Sequence, residues 1–218
     1  MADKSTCYVI IGTPRSGSSV IAGVVHNLGI PMGNQLLPAC EHNEKGFFED
    51  AEFIGVHQLM YGTIPDLFED AKFNNHETLK PAYTNLIRKR CTNKKWGLKD
   101  PRMVLVLEYF YSCLENCNLK IISTQRPINQ SAKSMMKVVS VNYRQASEII
   151  GRYEVARLDT LLWAKNNHIE HIIVPYEELM TSTKETVNKI ASFCEVDDEE
   201  SLIMANMIVD KRLWHNKG

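Results

Sequence analysis

Two stretches of this sequence carry groups suited to holding an anion. Residues 7–20, Cys-Tyr-Val-Ile-Ile-Gly-Thr-Pro-Arg-Ser-Gly-Ser-Ser-Val, pass from a β-branched apolar run through a Gly/Ser turn into the start of an amphipathic helix. Gly12 and Gly17 enclose four residues, the spacing of the phosphate-cradling loop G-x-x-x-x-G-K-[ST]. In such a loop the backbone N–H groups from Arg15 to Ser19 converge at a helix N-terminus, where the partial positive charge suits an anion. The lysine that would reach the β- and γ-phosphates of a nucleoside triphosphate is replaced by Ser18, and Arg15, the cation of the loop, comes earlier. With only the hydroxyls of Ser18 and Ser19 after Gly17, the loop suits a compact anion, such as one phosphate with a substituent, better than a magnesium triphosphate. The second stretch follows another apolar run: Arg126, then Ser134 eight residues later, with Ser131 and Ser134 three apart on one helical face. Arginine suits phosphate because its planar fork is permanently charged.

These groups need elements that bring them together. The spacing predicts a helix over Ser19–Leu28, with Ile21, Val24, Val25 and Leu28 at core positions and Gly29, Pro31 and Gly33 ending it. A polar, carboxylate-rich loop covers Pro38–Asp50, followed by helices over Ala51–Met60 and His76–Arg90 with an irregular stretch, 62–75, between. A short strand, Trp96–Lys99, puts Lys99 at its carboxyl tip. Asp100 is a suitable N-cap and Pro101 a favoured first helical residue, so Met103–Cys117 is expected to be helical, with Cys113 and Cys117 on one face. A strand over Leu119–Thr124 ends in Gln125-Arg126-Pro127, and a helix runs from about Asn129. A long helix over Gln145–Lys165 and a strand over His171–Pro175 follow, and Ser182-x-x-Glu185 has the form of a capping box for a helix to Phe193. The tail, from Leu202, starts helical and ends with Lys211, Arg212 and His215. Alternating strands and helices indicate an α/β fold, a parallel sheet flanked by helices on both faces. Ligands of such sheets sit beyond the carboxyl ends of the strands, where the loop, Lys99 and Arg126 all fall.

At 218 residues, 1–218 is expected to be a single domain able to bury a full core. A formal charge of −1 provides no overall field for nucleic acid or an anionic membrane surface. No run of about 18 apolar residues exists, and the first strand starts too early to leave room for a signal, so a cytoplasmic protein is expected. The six cysteines form no C-x-x-C pair and are expected to be reduced; His and Cys do not cluster at ligand spacing, so no metal is expected.

Gly12-Thr-Pro-Arg-Ser-Gly-Ser-Ser resembles the 5′-phosphosulfate loop of sulfotransferases, and the Arg126…Ser134 pair after a strand resembles their 3′-phosphate site. Asn43-x-x-Gly46-x-x-Glu49, Trp96-Gly-Leu-Lys-Asp-Pro-Arg102 and Tyr176-Glu-Glu-Leu179 are similar to a bacterial-type branch of that superfamily, and Lys99-Asp-Pro is also similar to tyrosylprotein sulfotransferases. The resemblance runs from Tyr8 to about Val196. It implies a P-loop-like fold and a donor, 3′-phosphoadenosine 5′-phosphosulfate, that leaves as 3′,5′-adenosine bisphosphate without a metal. By resemblance, Arg15 and the backbone of Ser16, Gly17, Ser18 and Ser19 hold the 5′-phosphate and sulfuryl oxygens, and Arg126 and Ser134 hold the 3′-phosphate. Lys99 stabilises the bridging oxygen. The base for an acceptor hydroxyl or amine is expected to be Glu49, with Glu41 and Glu44 as alternatives in the same loop, because Phe47 and Phe48 could desolvate it. His57 is expected to be packed or hydrogen-bonded, and Trp163 to be core. Arg144, Arg152 and Arg157 are candidates to face an acceptor.

Small-molecule cytosolic members close over the 3′-phosphate with a glycine-rich basic segment near the C-terminus. This sequence has only Lys211, Arg212 and His215 there, of which Arg212 is the candidate substitute. The expected acceptor is a small molecule or glycan, with a peptide as a further option; the oligomeric state stays open. The alternatives are a nucleotide or small-molecule kinase, which the missing lysine disfavours, and a non-catalytic nucleotide-binding module.

Overall fold

β1 (Ser5–Ile11) is the spine of the sheet, and its side chains alternate between two cores. In the computed structural model, which describes residues 4–41, 43–61 and 76–214, Cys7, Val9 and Ile11 enter one apolar cluster, while Tyr8 and Ile10 enter the other. All five are fully buried. A strand apolar on both faces is what a central parallel strand covered on both sides requires. Burying each such side chain is worth roughly 1.5–3 kcal/mol, so the run carries much of the sheet's stability. β1 pairs in parallel with β2 (Lys95–Lys99) on one side and β3 (Cys117–Gln125) on the other, and β3 pairs with β4 (Glu170–Pro175), giving the order β2-β1-β3-β4. The register sets Ile10 beside Lys99 and Ile11 beside Ser123, so the carboxyl ends of β2, β1 and β3 lie level.

Helices cover both faces, as the alternation of elements predicts. On one lie α1 (Ser18–Asn27), α7 (Tyr176–Thr181), α8 (Thr183–Phe193) and α9 (Glu199–Met207), which contribute Ile21, Leu179, Ile190 and Ala205 to the core. On the other lie α2 (Ala51–Tyr61), α3 (His76–Arg90), α4 (Met103–Ser112) and α6 (Tyr143–Asn166), contributing Phe53, Tyr83, Phe110 and Tyr153. α5 (Ile128–Met135) packs against α6. Trp163 is partly buried against this second core and meets Tyr111 edge-on at 5.4 Å. The stretch 62–75, expected to be irregular, and His215 lie outside the described residues.

Three local expectations are corrected. The helix after Asp100 is shorter: Cys113 caps α4, and Asn116, at φ 55°, turns the chain so that Cys117 opens β3. Asparagine tolerates this left-handed conformation better than most residues, and helical spacing alone does not reveal the turn. Cys113 and Cys117 therefore sit on different elements; all six cysteines are free thiols. Asp100 bonds the N–H of Arg102 at 2.8 Å and fixes the turn before α4, whose own N-cap position is Arg102. The capping box at Ser182 is not formed, because Ser182 also ends α7, donating its N–H to Glu178 O at 2.8 Å.

A capping box occurs instead at α6. Asn142 Oδ1 accepts from Gln145 N and Gln145 Oε1 accepts from Asn142 N, both at 2.9 Å, so the helix starts two residues before Gln145. Replacing such a cap by alanine costs about 1 kcal/mol. Asn142→Ala is therefore expected to lower the melting temperature by about 2–4 °C, and Asn142→Asp to restore most of it. An unchanged melting curve for the alanine variant would remove the cap from the account.

Candidate active site

The phosphate loop is shaped by three close approaches. Gly12 lies so near β3 that a Cβ there would meet Thr124 Oγ1 at 2.0 Å. Ser16 and Thr124, both buried, share a hydrogen bond that ties the loop to the strand. Gly17, at φ 94°, is the N-cap of α1, and a Cβ on it would meet the Tyr176 ring at 2.1 Å. Glycine is thus required there both for its backbone angle and for the space it leaves. Ser16 N–H returns to Thr13 O at 3.1 Å and Val20 N–H to Gly17 O at 3.1 Å, and α1 opens with no side-chain cap, which leaves the N–H groups of Ser18 and Ser19 at the helix start to meet an anion.

Two guanidiniums flank this helix end, and neither is paired with a carboxylate among the described residues. Arg15, held at φ 65°, donates from Nε to Ser134 Oγ at 3.2 Å. Arg126, 9% exposed, donates to Arg15 O at 3.1 Å and to Gln130 Oε1 at 3.2 Å, and lies 4.5 Å from the centroid of the Tyr176 ring. Burial pulls both pKa values below the ordinary arginine range, and the neighbouring arginine adds to this at Arg126. The two constellations seen in the sequence are therefore one site. Ser134 is engaged by Arg15, not by the Arg126 of its own segment.

Lys99 projects from the tip of β2 and is 3% exposed. Its Nζ donates to Ser19 Oγ at 3.2 Å and forms a close ion pair with Glu49, itself 7% exposed. Glu49 is delivered by the carboxylate-rich loop, whose ends are drawn together: Leu37 N–H bonds Glu49 O and Ala51 N–H bonds Gln35 O, both at 2.8 Å. Next to it Asp50 is buried against Arg90 of α3 and accepts from Asn34 N at 3.1 Å. Phe48, at φ 54°, turns away to pack on α1 against His26, while Phe47 stays at the cavity wall. Glu49 is buried, but of the two phenylalanines expected to desolvate it only Phe47 lines the cavity, because Phe48 is drawn onto α1. Its rivals Glu41 and Glu44 line the same cavity, but in the exposed part of the loop.

Behind Lys99 is a buried polar chain. Asp100 Oδ2 meets His57 Nδ1 at 2.7 Å and Arg102 at 3.3 Å, and His57 Nε2 meets Tyr83 OH at 2.8 Å. His57 is packed and hydrogen-bonded, as expected. Burial pushes the Asp100 carboxyl up, but the charge and hydrogen bond of His57, with Arg102, outweigh it and hold the pKa below the usual carboxylate range.

Other candidates stand apart. Arg157 is buried, donating to Ser123 Oγ at 2.9 Å and to Glu154, so it braces α6 on β3 and faces no acceptor. Arg144 is exposed and paired with Glu148, Arg152 is exposed, and neither lines the cavity. Arg212 is also absent from the cavity lining: it is exposed and grips Asp210 at 2.7 Å, holding that carboxyl down at about 2. Tyr176 is the residue to which sequence reasoning gave no role. Its only signal was its place in Tyr176-Glu-Glu-Leu179, right after a strand tip.

Arg15, Lys99, Glu49, Arg126, Ser134 and Tyr176 all line one cavity of about 440 Å³ at the carboxyl ends of the strands. The description of the family whose sequence model matches residues 8–200 is "Sulfotransferase family", and the chain belongs to that family. Among solved structures it is similar to the sulfotransferase domain of the Synechococcus olefin synthase, at TM-score 0.57 and 16% identity over 100% of this chain and 86% of that one. It is also similar to the sulfotransferase domain of the curacin biosynthetic pathway (TM-score 0.52, 16% identity, 92% and 77% covered). A Mycobacterium tuberculosis sulfotransferase matches at TM-score 0.54 and 14% identity, with 94% and 71% covered. A search of curated proteins finds no match. At these identities the structural likeness shows the fold, and the family match carries the kinship.

Asp100 provides a test by pH. A carboxyl whose pKa is lowered on folding adds stability above its ordinary value, about 3.9, and that stability is lost as pH falls through the lower folded value. Removing one partner of a buried pair costs about 3–5 kcal/mol, so Asp100→Asn is expected to be destabilised by that order at neutral pH. In urea unfolding at a series of pH values, the gap to the wild type is expected to stay level above about pH 5 and to narrow below about pH 4. A gap independent of pH would contradict an Asp100 carboxyl held ionised by its buried partners.

Proposed function

We propose that the chain transfers a sulfuryl group from 3′-phosphoadenosine 5′-phosphosulfate to a hydroxyl or amine of a small molecule or glycan, with a peptide as a further option. The observation that carries this reading is the buried Lys99–Glu49 pair at the mouth of a loop flanked by two guanidiniums without carboxylate partners among the described residues. The donor's chemistry is an activated sulfur whose departure leaves negative charge on a phosphate oxygen. The residues present suit it. Arg15 and the first-turn N–H groups of α1 would hold the 5′-phosphate, while Arg126, stacked on Tyr176, would hold the 3′-phosphate.

Lys99 then neutralises the oxygen on which charge builds, an interaction stronger in the transition state than before it. Glu49 accepts the acceptor's proton as the new bond to sulfur forms and the bond to the leaving oxygen breaks. Positive charge comes from Arg15, Arg126 and Lys99, so the reading calls for no metal ion. The phosphate-loop lysine that a kinase would use is absent at Ser18, and the family match favours sulfuryl over phosphoryl transfer.

The test is transfer of label from sulfur-labelled donor to a panel of alcohols, phenols, sugars and primary amines. Wild type is expected to label at least one class. Lys99→Ala and Glu49→Gln are each expected to lower kcat by about a hundredfold or more while 3′,5′-adenosine bisphosphate still binds within a few-fold of wild type. Undiminished transfer by Lys99→Ala would overturn the assigned roles. Bisphosphate binding with no transfer to any acceptor would make the chain a binding module.

A further inference from the structure

α6 is a helix of 24 residues, about 36 Å long, and among the described residues only one of its faces is used by the fold. Ala146, Ile150, Tyr153, Leu161 and Ala164 are buried against the sheet and its neighbours. On the opposite side Val155, Leu158 and Leu162 are 60%, 52% and 58% exposed. With Gly151 they are spaced four, three and four residues apart, the spacing of a coiled-coil seam. Gly151 adds a hole to these knobs, since a Cβ built there would meet nothing within 4 Å.

We propose that this face seats a second copy of the chain, with the two α6 helices antiparallel about a twofold axis between Val155 and Leu158. In that register Val155 of one copy meets Leu158 of the other, and Leu162 enters the hole above Gly151. The flanking charges complement one another. Arg152 faces Asp159 of the second copy and Glu148 faces its Lys165, each pair occurring twice by symmetry; all four residues are exposed. A parallel pairing does the reverse, setting Glu154 against Asp159 and one Gly151 over the other. The sequence of the seam therefore specifies both the occupant and its direction. No residue of α6 lines the cavity, so the interface leaves the phosphate loop and its flanking arginines clear.

Sedimentation velocity of the full chain from micromolar to hundred-micromolar concentration tests this. Wild type is expected to sediment with twice the chain mass of 24.9 kDa. Leu158→Glu is expected to weaken dimerisation at least tenfold, with circular dichroism and bisphosphate binding unchanged. Asp159→Arg sets arginine against arginine and is expected to weaken the dimer, while Arg152→Asp combined with Asp159→Arg restores it. A wild type that stays monomeric, so that some other chain would have to cover the face, overturns the proposal. So does a dimer indifferent to Leu158→Glu, or a double swap that fails to restore association.

Discussion

The structure depends on one electrostatic constraint: two largely buried guanidiniums at the carboxyl end of a parallel sheet, neither paired with a carboxylate among the described residues. Arg15 and Arg126 are largely taken out of water, yet they lean on a serine, a backbone carbonyl, a glutamine and a tyrosine ring. Buried charge is costly unless paired, so such an arrangement favours a state in which an anion completes it. The uncapped N-terminus of α1 adds its partial charge in the same place. Among the described residues Lys99 is paired with Glu49, whereas Arg15 and Arg126 have no carboxylate partner.

The remainder of the fold keeps that constraint in register. Parallel pairing of β1 with β2 and β3 sets Lys99, the loop and Thr124 at one level. The polar chain Tyr83–His57–Asp100–Arg102 fixes the turn that follows Lys99, and Arg90–Asp50 fixes the end of the loop that delivers Glu49. All of these ties but Asp100–Arg102 cross between elements far apart in sequence. Stability and site geometry are consequently the same set of contacts, and a change such as Asp100→Asn acts on both.

Much of this was legible in the chain. The four strands, the helix after each, and the convergence of the phosphate loop, Lys99 and Arg126 follow from apolar runs and their punctuation, because those signals are local. What was not legible depends on contacts between elements. Nothing near Ser182 tells that one helix ends where the next begins, whereas Asn142 and Gln145 carry a capping signal easily passed over in a polar stretch. Arg157 has the composition of a solvated helix arginine but is buried because Ser123 of β3 lies opposite. Tyr176 owes its place in the site to the space left at Gly17 and to the guanidinium of Arg126, 159 and 50 residues away by number. Arg212, the candidate substitute for the basic C-terminal segment, is paired with Asp210 two residues earlier.

The central claim, that this loop is built for an adenosine bisphosphate group and not for a magnesium triphosphate, is tested most directly by calorimetry. 3′,5′-Adenosine bisphosphate is expected to bind in the micromolar range, indifferent to magnesium, and at least tenfold more weakly to Arg126→Ala, a loss of about 1.4 kcal/mol. Tighter binding of ATP with magnesium than of the bisphosphate, or a bisphosphate affinity unaffected by Arg126→Ala, would contradict it.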